Sequence, residues 1–443
     1  MSKEGREGRA DYAALADVLD AKWVLRHRGT TPDFIRRYRR LAKRAAATKL
    51  AGLREIAPSV LTVISDERTL YTALKHMEAV GSHAPGPDDL RYEDIAEYGE
   101  WKWCREVRDT IREGGFALDE ERVQKIPKGP GRGFRELVIQ SVWDRVVQRA
   151  VVEVLQPLLN PLFDSRSFGY RPKKGPLRAL ATAGHLYKSG TRGVWVSVDI
   201  KNAFPSVPVA RLLGVLRHYL PDDELLDFLE TVTEPDTRPG LRQGSPLSPL
   251  LLNTYLHHVL DRKWRVLHQK IPLLRFADDI LLLCKTEQQA GDAYTSLAKL
   301  LAEVGFALKE SVEDAIKRVA KGESVKWMGY GIRGTGDGLT FNVTADAWDS
   351  LREAFVVAHG KPNSPIAALR SLAGWVADKG PCYPHTHFDW AYDQIRLIAA
   401  EQGFEEILSR DELKGLWQRA YARWCKIQKS VAVSRGTTAE GGK

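Results

Sequence analysis

Cysteine is scarce in this chain. It has four in 443 residues (Cys104, Cys284, Cys382 and Cys425), and no two are close enough to form a CxxC pair. That argues against a disulfide-framed scaffold or a zinc ribbon and fits a reducing compartment. No run of about 18 apolar residues, the length a membrane span needs, occurs anywhere. The opening MSKEGREGRADY lacks the apolar core of an export signal. A cytoplasmic protein with no membrane contact is the expectation. Acid is locally scarce too: between Lys22 and Arg54 eleven Lys or Arg residues meet one acid, Asp33.

The remaining composition is that of a globular protein, with 43% hydrophobic and 28% charged residues. The length suggests two or three domains, and the net charge of +9 favours a polyanionic partner. Thr31 and Pro32 read as the start of a helix. Phe34, Tyr38, Leu41 and Ala45 would share its apolar face, and Arg36, Arg37, Arg39, Arg40, Lys43 and Arg44 would occupy the rest. Such a helix docks by its stripe and offers Arg36, Arg40 and Lys43 to phosphates.

APGPDDL (84–90) is a turn-rich break, and helix resumes near Trp101–Glu113. KIPKGPGRGFRELVI (125–139) reads as two short strands around a Gly-rich basic turn, followed by a long helix from about Ser141 to Leu158. VWVSVDI (194–200) is a buried strand by composition. PLSPLLLNTYLHHVLDRKW (246–264) turns helical after its second proline, and LLRFADDILLLC (273–284) reads as two strands with Ala277, Asp278 and Asp279 at the turn. A helix is predicted over 287–303, one strand over 325–332, and helices from Asp346 to about Lys429. The tail from Val431 reads as disordered. Strands mixed with helices, then an all-helical end, predict an α+β core with a helical appendage.

Chemistry concentrates where acids interrupt apolar strands. Asp199 closes VWVSVDI, and Asp278 and Asp279 sit inside LLRFADDILLLC. Were those strands neighbours, carboxylates about 4 Å apart would repel by roughly 4 kcal/mol at an effective dielectric of about 20, so cations must lie between them. Hard oxygen ligands select Mg²⁺ or Mn²⁺, and two such ions suit phosphoryl transfer.

The surrounding residues resemble reverse transcriptases of the bacterial group II intron-like lineage. FADD is similar to that family's aromatic-x-Asp-Asp box, and VDIKNAFPSV (198–207) to the segment with its other metal-binding aspartate. LRQGSPLSPLLLNTYLHHVLD (241–261), IPKGPGRGFRELVIQSVWDRVVQRAV (126–151) and SFGYRP (167–172) resemble further family segments in order. GSHAPGPDDL (81–90), WMGYGI (327–332) and LRSLAGWV (369–376) are weaker matches. Together they cover about residues 70–380.

The resemblance implies a right-hand polymerase fold. A basic helical N-terminal extension would span residues 1–80, fingers 81–190, an antiparallel palm sheet 191–345, a helical thumb 346–430 and a disordered tail 431–443. It implies Asp199 and Asp278 as metal ligands with the Ile200 carbonyl, and Asp279 at the edge of the catalytic site. Phe204 would gate the sugar, Gln243 and Gly244 would pack on nucleotide and template, and Lys128 and Arg135 would grip the triphosphate. Arg171 is open between template contact and an internal acid, and Arg423 on the last basic helix is a candidate duplex contact.

Two departures stand out: Arg242 replaces a common proline, and GFALKESVEDAIK (305–317) alters the usual Lys-Thr or Lys-Ser, leaving Lys309 as the nearest match. Cys382, His385 and His387 have ligand-like spacing without a fourth ligand nearby, which disfavours zinc. Trp101 and Trp103 read as core or interface residues.

The implied activity is RNA-directed DNA synthesis with two Mg²⁺ ions (Mn²⁺ possible), an RNA template, dNTPs and a DNA product. No DNA-binding or Cys-rich endonuclease segment follows the thumb in these 443 residues, so the expectation is a stand-alone bacterial anti-phage enzyme copying an associated non-coding RNA. A maturase that binds intron RNA and an RNA-synthesising polymerase are the alternatives.

Overall fold

The VWVSVD run becomes the central strand β3 (Val194–Asp199) of a four-stranded antiparallel sheet. The computed structural model describes residues 31–80, 84–127, 134–233, 239–360, 363–382, 388–404 and 408–436. Beside β3 lie β5 (Asp279–Cys284), then β4 (Leu273–Phe276), with β6 (Ile316–Lys317) on the other edge. The strands read as continuous apolar runs because both faces are covered. Val196, Val198, Ile280, Leu282 and Cys284 enter one hydrophobic core, while Trp195, Leu281 and Leu283 enter another on the opposite face.

The first core is completed by the helices that precede and follow a hairpin near residue 130. These are α1 (Thr31–Ala47), α2 (Leu50–Ile64), α3 (Glu67–Val80), α4 (Tyr92–Tyr98), α5 (Glu100–Arg112) and α6 (Val142–Leu159). The hairpin β1 (Arg122–Pro127) and β2 (Phe134–Ile139) precedes α6, whose first turn is capped by the Ser141 hydroxyl accepting from the Asp144 amide. The buried stripe of α1 is Ile35, Tyr38, Ala42 and Ala46, not the expected set, and Leu41 is 54% exposed. The small Ala42 and Ala46 let α1 lie close to its neighbours, Tyr38 Oη donates to the Val154 carbonyl at 3.0 Å, and Arg39 pairs with Glu153. Those three contacts fix the rotation of the helix.

After α7 (Pro176–Gly190) and β3 come α8 (Val209–Tyr219), α9 (Asp223–Thr233) and α10 (Ser248–Leu256). A π-helical turn, His257–Asp261, joins α10 to α11 (Arg262–Leu267). Beyond β5 run α12 (Glu287–Ala302) and the short α13 (Val312–Ala315).

The single strand expected at 325–332 is instead a hairpin. β7 (Val325–Trp327) turns at Met328 and Gly329 into β8 (Tyr330–Thr335), which pairs with β9 (Gly338–Val343). Met328 has φ 51° and Gly329 φ 75°, a pair of positive φ values that reverses the chain in two residues. Four helices complete the second core: α14 (Ala345–His359), α15 (Ser364–Asp378), α16 (Phe388–Glu401) and α17 (Arg410–Gly436). The tail boundary at 431 is corrected: α17 runs to Gly436, and Val431 is buried. The expected mixture of helices with antiparallel sheets, followed by a helical end, is present. No helix among the described residues is long and apolar enough to cross a membrane.

Candidate active site

Antiparallel pairing of β3 with β5 sets Asp199 opposite Asp279, and pairing of β4 with β5 leaves Ala277 and Asp278 as a two-residue turn. The Ile200 amide donates to the Asp278 carbonyl at 3.2 Å. Lys309 N donates to Asp199 O and Lys201 N to Ala307 O, so these bonds flank Ile200 and turn its own amide and carbonyl towards the Asp278 side. Asp199, Asp278 and the Ile200 carbonyl therefore converge at one end of the sheet.

The turn is an unusual one. Ala277 has φ 58°, a conformation that costs an L-residue about 1–2 kcal/mol. Beneath it lies Arg275, fully buried, a residue the sequence reading passed over. Its guanidinium donates to the Ala277 carbonyl at 2.8 Å, to Asn253 Oδ1 at 2.8 Å, and to both oxygens of Asp261 at 3.0 and 2.7 Å. Asn253 in turn donates to the Gly169 carbonyl at 2.8 Å. A Cβ on Gly169 would lie 2.3 Å from the Ala277 amide nitrogen, so only glycine lets SFGY press against the turn. Arg275, Asp261, Asn253 and Gly169 thus over-determine the position of Asp278. The clearest signal for this clamp was a lone arginine in an apolar strand.

Above the turn the acids face one another. Burial, then Asp278, pushes the Asp199 carboxyl up to about 6, with Lys309 opposing and Glu310 adding to the rise. Burial likewise raises Asp278. Asp279 is raised well above the usual range by burial, against which the Met328 amide, donating to it at 3.2 Å, acts. Asp279 thereby joins the catalytic hairpin to the turn between β7 and β8. Glu310, also unforeseen, accepts from the Asp199 amide at 2.8 Å, and Lys309 Nζ lies 3.7 Å from Asp199 Oδ2. An open cleft lined by Asp199, Asp279, Lys309, Glu310, Met328 and Asp346 gives access.

Asp199 Oδ1 is buried without a hydrogen-bond partner. Among the described residues no cluster of three or more His, Cys, Asp or Glu side chains gathers to hold a metal. The donor set is two carboxylates and one carbonyl, all hard oxygens, with one oxygen left unsatisfied. That set fits Mg²⁺ or Mn²⁺ and does not suit zinc.

The other expected residues divide. Phe204 is half-buried in the turn after β3, and its carbonyl accepts from the Leu241 amide at 2.9 Å. Gln243 and Gly244 are exposed, with the Gln243 carbonyl accepting from Val138 in β2 at 3.2 Å. Arg135 lies in β2 opposite Ile126; its side chain, like Lys128, His385 and His387, lies outside the described residues.

Arg36, Arg40 and Lys43 are exposed on α1, and Arg423 on α17. Arg171 bonds an amide and backbone carbonyls in place of an internal acid: its guanidinium donates to Asn160 Oδ1 at 2.8 Å and to the carbonyls of Asn160, Asp164 and Ser167. Those bonds fold the SFGYRP loop, so carbonyls hold the group proposed for the template. Burial raises the Cys382 thiol to about 12, which disfavours a thiolate ligand there. Trp101 stacks on Tyr71 at 4.3 Å and Trp103 meets Trp143 edge-on, as packing residues.

Residues 126–332 match the family described as "Reverse transcriptase (RNA-dependent DNA polymerase)". The group II intron-encoded protein LtrA of Lactococcus lactis is 27% identical over 176 residues, 38% of this chain and 29% of that protein. Protein YkfC of Escherichia coli is 28% identical over 193 residues, 41% of this chain and 50% of its own length. An uncharacterized 91 kDa protein in the cob intron of Schizosaccharomyces pombe is 29% identical over 198 residues, 43% of this chain and 23% of that protein. The chain thus spans half or less of each of these relatives.

Proposed function

We propose that the protein is an RNA-directed DNA polymerase, a reading supported by the match of residues 126–332 to the reverse transcriptase family and by the similarity to the group II intron-encoded protein LtrA. The observation that carries this is the partnerless oxygen of Asp199, a carboxyl raised by burial and by the clamped Asp278 nearby, at a cleft that Asp199, Asp279 and Glu310 line. Asp199, Asp278 and the Ile200 carbonyl would hold the divalent ions. When bound, Mg²⁺ supplies the positive charge that makes a primer 3′-hydroxyl acidic and neutralises charge on the transferring phosphoryl group.

The chain's own residues do the positioning. Lys309, beside Asp199, holds an ammonium at the cleft, where it offsets negative charge. Phe204 presents its ring five residues after Asp199, where it would exclude a 2′-hydroxyl. Gln243 and Gly244, exposed and tied to β2, would support the base pair, and Lys128 and Arg135 the triphosphate. Asp279 holds the Met328 turn at the cleft wall. Arg36, Arg40 and Lys43 on α1 and Arg423 on α17 offer cations to RNA or duplex phosphates.

Primer extension on an RNA template tests the reading. Wild-type protein should incorporate dNTPs in preference to rNTPs, and Phe204→Ala should relax that preference. Equal use of both sugars by the wild type would favour an RNA-synthesising polymerase. RNA-dependent function that survives Asp278→Ala would favour the maturase reading.

The finer role we infer is bacterial anti-phage defence by copying a dedicated non-coding RNA. It is supported by the resemblance to stand-alone members of the lineage and by the cationic surface of α1 outside the matched domain. Sequencing the nucleic acid that copurifies with the protein should recover one abundant RNA and its cDNA; recovery of neither would sink this role.

A further inference from the structure

Arg242, the residue that stands in place of the family's common proline, is buried. Its side chain is 5% exposed, and its Nε donates to Glu121 Oε1 at 2.7 Å; the Glu121 side chain is itself only 8% exposed. Glu121 immediately precedes β1, at the foot of the fingers hairpin. A second nitrogen of the same guanidinium donates to the Gly240 carbonyl at 3.0 Å.

Gly240 has φ 78°, and a Cβ there would lie 2.2 Å from the Pro205 carbonyl oxygen, so the 240 backbone sits directly on the loop after β3. The next amide, Leu241, donates to the Phe204 carbonyl at 2.9 Å. On the far side of Arg242, the Gln243 carbonyl accepts from Val138 at 3.2 Å. One guanidinium therefore joins the foot of the fingers hairpin to the backbone that carries Phe204. Paired buried charges of this kind act best as registry devices, because their geometry is satisfied in one arrangement only.

We propose that Glu121 and Arg242 form a positioning pair that sets the Phe204 ring against the sugar of the incoming nucleotide, and so tunes discrimination between deoxy- and ribonucleotides. The inference rests on the polymerase reading with Phe204 as the gate. Both side chains are buried, so they touch no substrate and act through the Gly240–Leu241 backbone. A proline at 242 would have no side-chain donor to make this link, which ties the device to this chain's own departure.

The test uses the full chain with a Glu121→Leu/Arg242→Met double variant, which leaves neither charge buried alone. Steady-state incorporation of dNTPs and rNTPs is measured on an RNA template. The dNTP-over-rNTP preference should fall about tenfold through KM, with kcat on saturating dNTP held within about threefold. Hydrogen exchange at the Leu241 amide should quicken. In a Phe204→Ala background the double variant should remove no further preference, because both changes act through one ring.

An unchanged preference in a variant that still unfolds cooperatively would overturn the proposal. So would a loss that adds in full to that of Phe204→Ala. Should the double variant not fold, Arg242→Lys is read by the same two criteria, since lysine keeps the ion pair but lacks the second planar arm towards Gly240. A wild-type chain that shows no sugar preference would instead refute the gate, and the pair's role with it.

Discussion

Below the Ala277–Asp278 turn, burial would raise the Asp261 carboxyl, but the Arg275 guanidinium overrides it and holds the group down at about 2. Above the same turn, burial and Asp278 together push Asp199 up to about 6. The two regions use the same residue type on either side of one hairpin, and they differ in the cation the chain supplies: a buried guanidinium bonded to both oxygens below, an exposed ammonium 3.7 Å away above. Asp261 is given Arg275 and becomes structure. Asp199 is given three acids and one exposed lysine, and one of its oxygens is left unsatisfied. A third region sharpens the lesson. Burial and then Asp119 push Asp144 up to about 8, and it sits buried in the first turn of α6. A raised carboxylate therefore marks a stranded acid; convergence with others in an open cleft marks a site.

The contrast can be broken at either end. The largest effect is expected from Asp199→Asn, which should lower primer extension about 10³-fold. It should also stabilise the metal-free protein. The raised folded pKa of Asp199 means that the contribution of this one group to stability is fullest below its ordinary value of 3.8 and declines as pH climbs through about 6. Thermal unfolding of the metal-free proteins at pH 8 checks the sign, with the variant melting higher.

On the other side of the turn, Arg275→Met takes the guanidinium from the buried Asp261 and leaves it beside His257, whose Nδ1 lies 3.8 Å away. Urea unfolding should report a loss of about 3–5 kcal/mol, and adding Asp261→Leu should restore most of it. Asp144→Asn is expected to come next. The folded pKa of Asp144 near 8 lies above the ordinary 3.8, so this group's contribution to stability is lost between those two values as pH rises. The variant should flatten that slope and gain on the order of 3 kcal/mol over wild type at pH 9. Smallest is Ala277→Gly, which relieves the positive φ and should change stability by about 1 kcal/mol, read as a shift in the urea midpoint.

The working side of this contrast was legible in the sequence, and the supporting side was not. Asp199 and Asp278 stood out because acids inside apolar strands violate local expectation. Arg275 stood in one of those strands too, but its partners Asp261 and Asn253 lie on a helical segment 14 and 22 residues away and look ordinary alone. The hairpin at Met328 was hidden for a related reason: a non-glycine residue adopts φ 51° there because Asp279 and its neighbours hold it, which no local propensity announces. The rotation of α1 was set by Glu153 and Val154 across the core, so the stripe read from Leu41 and Ala45 landed one position off. Lys309 came from the resemblance, as the nearest match to the family's usual Lys-Thr or Lys-Ser, and Glu310 beside it was missed.

The π-helical turn His257–Asp261 carries a consequence for helical phase. A π turn accommodates one more residue than the α-helical turn it interrupts, so everything after it is rotated by about 100° relative to an uninterrupted helix. Asp261 is the last residue of that turn. Removing one residue from His257–Leu260 would let α10 run on regularly and would swing the Asp261 carboxylate off the Arg275 guanidinium. The grip on the Ala277 carbonyl, and with it the aim of Asp278, thus depends on an insertion of one amino acid in a helix that never touches the cleft.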